Sequence, residues 1–359
     1  VSNGVPEKRI DILIIGAGPA GCAAAISARQ AGLKTMLIDA SAFAHNAPGE
    51  TLHPGVEPIL KKLGVWDSIT AAGFHRHRGI WRESGEGTRT FMPYGSDSNG
   101  EWLGLQADRR ILHGILRSAA REAGAVFKEA TTARHALMRD GRVEGVVCEG
   151  LEIRARWVFD ATGQRAWLAR KLNLRADRSG SARRVRFGWK EGSDRCLEGQ
   201  PLFRQRQGGW EWFAPLGDGR TAWVTLDQAA EPGVERSIGL RHDRKAATGL
   251  DMTGRLHSSC AGPGYFLLGD AAALLDPASS NGVLRALMSG MLAADLAACV
   301  ISGKDEGPAL QAYMQWIGAL YKHHIESLDD LYRRMDYEHA GKQYIQKTGE
   351  KAADDRPQL

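Results

Sequence analysis

Apolar and polar positions first fall into a regular order between Ile10 and Asp39. An apolar run, Ile10–Ile15, meets a glycine-rich turn. A stretch of small residues follows, and a second apolar run ends in Asp39. Short apolar runs bounded by glycine predict buried strands, and the Ala-rich stretch closed at Gly32 predicts a helix. Ser41–Gly55 is too irregular for a strand. Val56–Leu63 predicts a short amphipathic helix stopped at Gly64, and Phe74–Phe91 two exposed strands around Gly85–Gly87. Asp108 opens a helix whose apolar positions Ile111, Leu112, Ile115, Leu116 and Ala119 keep helical spacing, and Gly124 closes it. Val126-Phe127 begins a strand. Arg142–Glu149 and Leu151–Arg154 read as a hairpin, after which Trp157-Val158-Phe159 leads into Asp160-Ala161-Thr162-Gly163. Between Val185 and Leu226, Trp- and Phe-rich runs separated by glycine predict a mixed or antiparallel sheet. A strand at Gly264–Leu268 runs into Gly269-Asp270. Val283–Ile301 predicts a long helix, with one or two more over Pro308–Met335.

These elements interleave. The predicted class is α/β: a Rossmann-like dinucleotide-binding domain interwoven with a mixed or antiparallel substrate sheet domain, plus C-terminal helices. The nucleotide domain takes residues 1–75, 105–180 and 259–302. A substrate-side insert takes 76–104 and the sheet domain 181–258. C-terminal helices occupy 303–350, and 351–359 is expected to be a disordered tail. Interwoven domains favour a shared ligand at their junction.

The first turn carries the chemistry of a nucleotide site. Gly16 lets the chain turn tightly, Gly18 lets the backbone approach a pyrophosphate, and Gly21 lets the helix sit close to the strands. The helix N-terminus then offers unpaired N–H groups and a favourable dipole to the phosphates. Asp39, at the end of the second strand, is placed to accept from the adenosine ribose hydroxyls. The motif by itself does not choose FAD over NAD.

Composition narrows the classes. The 359 residues are 43% hydrophobic, enough for one large domain or two coupled ones. The net charge of +5 is spread without a long basic block. That disfavours a nucleic-acid partner and suits an anionic cofactor. The five cysteines are widely spaced with no CxxC, as in reduced thiols of a cytoplasmic protein. Cys22 and Cys260, beside small apolar residues, are expected to be buried. No signal peptide precedes Ile10 and no uninterrupted apolar stretch reaches about 18 residues, so no transmembrane contact is expected. His75 and His77 are expected on one exposed strand face. Neither they nor His323-His324 have the ligand set of a metal site, and no metal is expected.

Three separated segments combine into a resemblance: IGAGPAG at 14–20 completed by Gly21, DATG at 160–163, and GYFLLGDAAALLDPASSNGV at 264–283. With ADRRILHGILRSAAREAG at 107–124 they resemble the FAD-dependent group of aromatic hydroxylases, flavin-dependent halogenases and geranylgeranyl reductases. The resemblance covers residues 9–302. It implies FAD as cofactor and an external reductant, either reduced flavin or an NAD(P)H source. It also implies that Arg109 lies over the cofactor and that Asp270 meets its ribityl or pyrophosphate region. Asp276, Pro277 and Gly282 would line the isoalloxazine ring. Gly163 would pass close to the same cofactor. The helix after Asn281 would turn its N–H groups toward the ring's pyrimidine side.

Within that group the signals divide. GETLHPGVEPILKKLGV at 49–65 resembles the GE-x-L-x-P segment of halogenase and reductase relatives. Trp210 to Pro215 resembles the halogenase W-x-W-x-I-P motif, with Ala214 in the Ile position, and reads equally as a Trp-rich core strand. Halogenases use a lysine beyond GE-x-L-x-P. Here no lysine lies between Lys62 and Lys128, and arginine does not replace it. Residues 260–294 look most like the flavoprotein maturases that modify a partner's tryptophan in tryptophylquinone biogenesis. That likeness implies an FAD-dependent monooxygenase hydroxylating a peptidyl tryptophan through a flavin C4a-hydroperoxide, with a protein or peptide as substrate. A tryptophan halogenase, a prenyl-chain reductase and a non-catalytic flavin carrier or redox sensor are the alternatives. Proton handling calls for a side chain that titrates near neutrality. His53, in the GETLHPG segment, and Glu50 are the candidate catalytic groups.

Overall fold

Four parallel strands end side by side and in register. Ile10–Ile15 pairs with Thr35–Ile38 on one side and Leu151–Asp160 on the other, and Leu151–Asp160 pairs in turn with Tyr265–Leu267. Ile15 stands opposite both Ile38 and Asp160, and Asp160 stands opposite Leu267. The chain therefore leaves these strands along one edge, the place where open parallel sheets bind ligands. Val126–Lys128 extends this sheet beyond Thr35–Ile38. Leu151–Asp160 is one long strand rather than two elements. Its first half joins the antiparallel hairpin with Arg142–Cys148, and its second half joins the parallel core.

The computed structural model describes residues 10–42, 50–179, 183–192, 197–206, 208–228 and 248–354. Residues 43–49 of the turn-rich stretch, most of the polar run 228–250, Cys196 and the last five residues of the expected tail lie outside the described residues. The helices are α1 (Pro19–Gln30), α2 (Val56–Lys62), α3 (Trp66–Ala71), α4 (Arg109–Glu122), α5 (Trp167–Lys171), α6 (Gly282–Ile301) and α7 (Glu306–Asp354).

A mixed sheet of seven described strands stands beside the nucleotide sheet. Its order is Thr248–Asp251, Arg183–Glu191, Arg220–Gln228, Gly209–Pro215, Leu202–Arg206, Gly79–Glu83 and Arg89–Pro93. Only Leu202–Arg206 and Gly79–Glu83 pair parallel within it. A small third sheet joins Thr51–Leu52, Gly104–Gln106 and His75–His77. The GETLHPG segment thus contains a two-residue strand where irregular chain was expected.

Two helices differ from expectation. In α4, Leu112 and Leu116 are buried, but Ile111 is 47% exposed, and the buried face also takes in His113 and Arg117. The C-terminal region is a single helix, α7, which also covers residues 351–354 of the expected tail. Helix α6 has the length and apolarity of a membrane-crossing helix. Its face carrying Leu287, Ser289, Gly290, Ala293, Ala294 and Ala297 is nevertheless buried in the protein core.

Small residues make that burial possible. A Cβ on Gly290 would stand 2.2 Å from the Ala20 carbonyl oxygen of α1. Gly290→Ala should therefore force the two helices apart and destabilise the fold by about 1–3 kcal/mol. A lowered urea midpoint is the expected result.

Candidate active site

A cavity of about 690 Å³ opens along the edge where the parallel strands end, a size suited to a small-molecule or cofactor site. Gly16 and Gly18 line it after the first strand, Asp39 after the second, Gly163 after the third and Asp270 after the fourth. Arg109 reaches it from α4, and Pro277 and Gly282 from the chain before and at the start of α6. Glu50 and His53 line it too. Gly21 and Asn281 are outside the lining. Gly21 acts from behind the wall, where a Cβ would stand 2.0 Å from the Gly16 carbonyl oxygen and 3.1 Å from the Ala161 methyl. Asn281 flanks the start of α6 and its side chain makes no capping bond.

The residues present fit FAD. A Cβ on Gly18 would meet nothing within 4 Å, so that backbone borders open space. Helix α1 begins directly after Gly18 with no side-chain cap, which leaves its first N–H groups to an anionic ligand. Asp39 is fixed by two backbone donors: Ala17 N–H to Oδ2 at 2.6 Å and Ser41 N–H to Oδ1 at 2.8 Å. Asp160 is buried and outside the lining. Its carboxylate accepts from the Thr162 and Leu168 N–H groups at 2.9 and 2.7 Å, shaping the turn that presents Gly163. Burial pushes its pKa up, against those hydrogen bonds.

Charge is concentrated in the middle of the wall. Burial pushes the Arg109 guanidinium down, and the Glu50 and Asp270 carboxylates pull it back. An arginine retains its proton under such opposition. Burial pushes Asp270 up, while Arg285, Arg109 and Arg255 hold it down. Arg285, in the first turn of α6, lines the cavity and was missed in the sequence. Its signal was one cation in an otherwise apolar helix start. His113 and Arg117 also line the cavity. Their four-residue steps from Arg109 place all three on one helix face.

Indoles pin the GE-x-L-x-P segment to the seven-stranded sheet. Trp189 Nε1 donates to Glu50 Oε1 at 2.9 Å, and Trp212 Nε1 donates to Thr51 Oγ1 at 3.0 Å. Glu50 is only 3% exposed. Trp210 is wholly buried and Trp212 half-buried, and both line the cavity. The Trp-rich strand is both core and wall.

His53 sits at an exposed part of the lining, its ring edge-on to Tyr94 at 5.3 Å. Burial lowers its pKa. The Gly55 N–H donates to its Nδ1 at 3.0 Å, which assigns the neutral ring's proton to Nε2. In that state His53 offers a donor rather than a base. His77 is not on an exposed face. It is fully buried, 5.4 Å from Tyr94, with Nδ1 3.1 Å from the Gly79 carbonyl oxygen, and burial pushes its pKa down to about 4. Cys22 and Cys260 are buried and pushed up to about 12, so both are unreactive thiols at neutral pH. No lysine lines the cavity among the described residues. Lys61 and Lys62 face solvent, with Lys61 paired to Glu57 at 2.8 Å.

Removing the Asp39 carboxylate should release two backbone donors and the group placed for the adenosine ribose. Asp39→Ala should weaken FAD binding by about 1–3 kcal/mol, measured by calorimetry on apoprotein. The His77 pKa is depressed on folding, so its stabilising contribution is present above about pH 6.5 and is lost as pH falls toward about 4. In urea melts across that window, His77→Gln should show a shallower loss of stability than the parent.

The chain also matches known families and proteins. Residues 11–171 match the family described as FAD dependent oxidoreductase, and residues 102–334 match the tryptophan halogenase family. A menaquinone reductase of Mycobacterium tuberculosis (strain ATCC 25618 / H37Rv) is 31% identical over 320 residues, 81% of this chain and 77% of that protein. A 1H-pyrrole-2-carbonyl-[peptidyl-carrier protein] brominase of Pseudoalteromonas luteoviolacea (strain 2ta16) is 27% identical over 346 residues, 86% of this chain and 82% of that protein. In fold, the chain is similar to the myxobacterial chondrochloren halogenase CndH. The TM-score is 0.79 at 22% identity, with 89% of this chain and 81% of that one covered. The motifs, the cavity that joins them and a match over well over half of the chain lead to one conclusion: the protein is an FAD-dependent oxidoreductase belonging to the tryptophan halogenase family.

Proposed function

We propose that this halogenase-like enzyme oxidises an electron-rich aromatic ring held against the seven-stranded sheet. The observation that carries this reading is the shared cavity. Trp210, Trp212, Val224, Leu250 and Met252 line the same space as Gly18, Arg109 and Asp270. An apolar, aromatic wall beside a polar cofactor wall suits a flat ring.

When bound, FAD would supply the redox chemistry: reduced flavin (FADH2) with dioxygen, halide and a proton would give oxidised flavin, hypohalous acid and water. The chain's own groups would bind and orient. Gly16, Gly18 and the start of α1 would take the pyrophosphate, and Asp39 the adenosine ribose. Gly163, Asp270, Pro277 and Gly282 would border the rest of the cofactor, with Asn281 setting the start of α6. Arg109 would hold charge in place between Glu50 and Asp270. His53 would donate from Nε2 to an oxygen or halide near the mouth of the cavity, and Glu50 would keep the GE-x-L-x-P segment closed on the sheet.

Halogenation is favoured over hydroxylation of a peptidyl tryptophan by the halogenases among the relatives. The brominase relative acts, by its name, on a pyrrole carried by a protein. That supports a ring presented on a protein or peptide here, with reduced flavin supplied from outside. One observation favours the second reading, direct oxygen transfer to a tryptophan in a partner chain: no lysine lines the cavity among the described residues. The reductases among the relatives, one of them by its name a digeranylgeranylglycerophospholipid reductase, support reduction of a prenyl chain as the remaining route.

The test incubates the FAD-loaded enzyme with a flavin reductant and, in separate arms, with oxygen and indole- or pyrrole-bearing peptides, with and without bromide or chloride, or with a prenyl quinone. Halide-dependent halogenated product is expected by mass spectrometry. A product gaining only oxygen, with equal yield in halide-free buffer, would replace halogenation by hydroxylation. A prenyl quinone reduced in its side chain, with no aromatic product, would replace both.

A further inference from the structure

We propose that Tyr332 of α7 is a positioning residue for the cavity-lining segment 275–282, acting through the Asp276 carboxylate. Asp276 is 2% exposed and opens the short turn Pro277–Ser279. Its Oδ1 accepts from the Ala278 N–H at 2.8 Å. Its Oδ2 accepts from Arg183 Nη1 at 2.6 Å and from the Tyr332 hydroxyl at 2.6 Å. The Tyr332 oxygen accepts in turn from Trp210 Nε1 at 2.9 Å, and the Arg183 guanidinium lies 3.8 Å from the Tyr332 ring centroid.

Two side chains from separate parts of the chain, Arg183 and Tyr332, therefore converge on one carboxylate, and Trp210 joins them through the Tyr332 hydroxyl. Asp276 and Trp210 line the cavity; Tyr332 does not. Arg183 and Trp210 come from two strands of the seven-stranded sheet, so the same carboxylate ties that sheet to α7. Hydrogen bonds to a buried ion are strong, and losing one donor leaves the ion under-satisfied. Burial beside the carboxylate pushes the Tyr332 phenol far up, so it remains a donor throughout the neutral range.

The same helix holds the other end of this wall. Tyr313 donates to the Leu267 carbonyl oxygen at 2.7 Å, two residues before Gly269. One helix thus grips both ends of the segment Leu267–Asp276, which carries Asp270. A displacement of α7 at Tyr332 would be passed to Asp276, and from there to the Pro277 and Gly282 backbone that borders the cavity.

The test uses the full chain loaded with FAD. Tyr332→Phe keeps the ring under Arg183 and removes only the hydroxyl. A rise of about tenfold in the FAD dissociation constant is expected, with shifted visible flavin bands. Parental FAD affinity and flavin bands would overturn the proposal, whatever the melting temperature. If Tyr332→Phe is insoluble, Asp276→Asn serves with the same readouts, since it removes the charge on which the bonds converge. There too, unchanged affinity and bands would overturn it. The proposal rests on FAD binding along this cavity and not on the reaction that follows. An enzyme that binds FAD normally but halogenates nothing fails the functional reading and leaves this one intact.

Discussion

The common register of Ile15, Ile38, Asp160 and Leu267 is the constraint on which the site depends. Residues far apart in sequence leave the sheet at one level, so their next residues meet around one cavity. That alignment crowds the backbone. Gly16 turns with φ of +106°, and Gly21 packs where a side chain would collide with main-chain atoms. Small residues are needed there because the second layer must touch the first, and α6 then packs on α1 by the same means at Gly290.

The cavity joins two kinds of wall. One is built from strand ends and helix starts, and it offers backbone N–H groups, carboxylates and arginines. The other is the face of a mixed sheet, offering indoles and aliphatic groups. The GE-x-L-x-P segment lies between them and is held by the indole N–H groups of Trp189 and Trp212. Buried charges survive in such a place because each faces an opposite charge: Arg109 faces Glu50 and Asp270, and Asp270 also faces Arg285. The chain's own residues thus provide binding and orientation, while the redox chemistry comes from the cofactor.

The C-terminal helix belongs to the site as much as to the scaffold. Its tyrosines reach Leu267 and Asp276, one at each end of the wall segment that carries Asp270. A helix outside the motif-bearing segments therefore bears on the geometry of the cavity through two hydroxyl groups.

The nucleotide half was legible in the sequence because its requirements are local. A tight turn needs Gly16, a close helix needs Gly21, and a strand end bearing Asp39 follows at a fixed distance; each leaves a mark at one position. The α/β class and the mixed sheet followed from such marks combined over separated segments, and FAD from the family resemblance those segments carry. Long-range contacts left weaker marks. Nothing local announces that Trp189 reaches Glu50, that Tyr332 meets Asp276, or that His77 is buried, because each pair is brought together only by the meeting of separate sheets and helices. Helix α4 shows both sides. Its periodicity fixed the helix and its Asp108 cap, yet Ile111 faces solvent while His113 and Arg117 turn inward. The apolar spacing defines a stripe, but neighbouring charges and an adjacent cavity decide which edge of that stripe is buried.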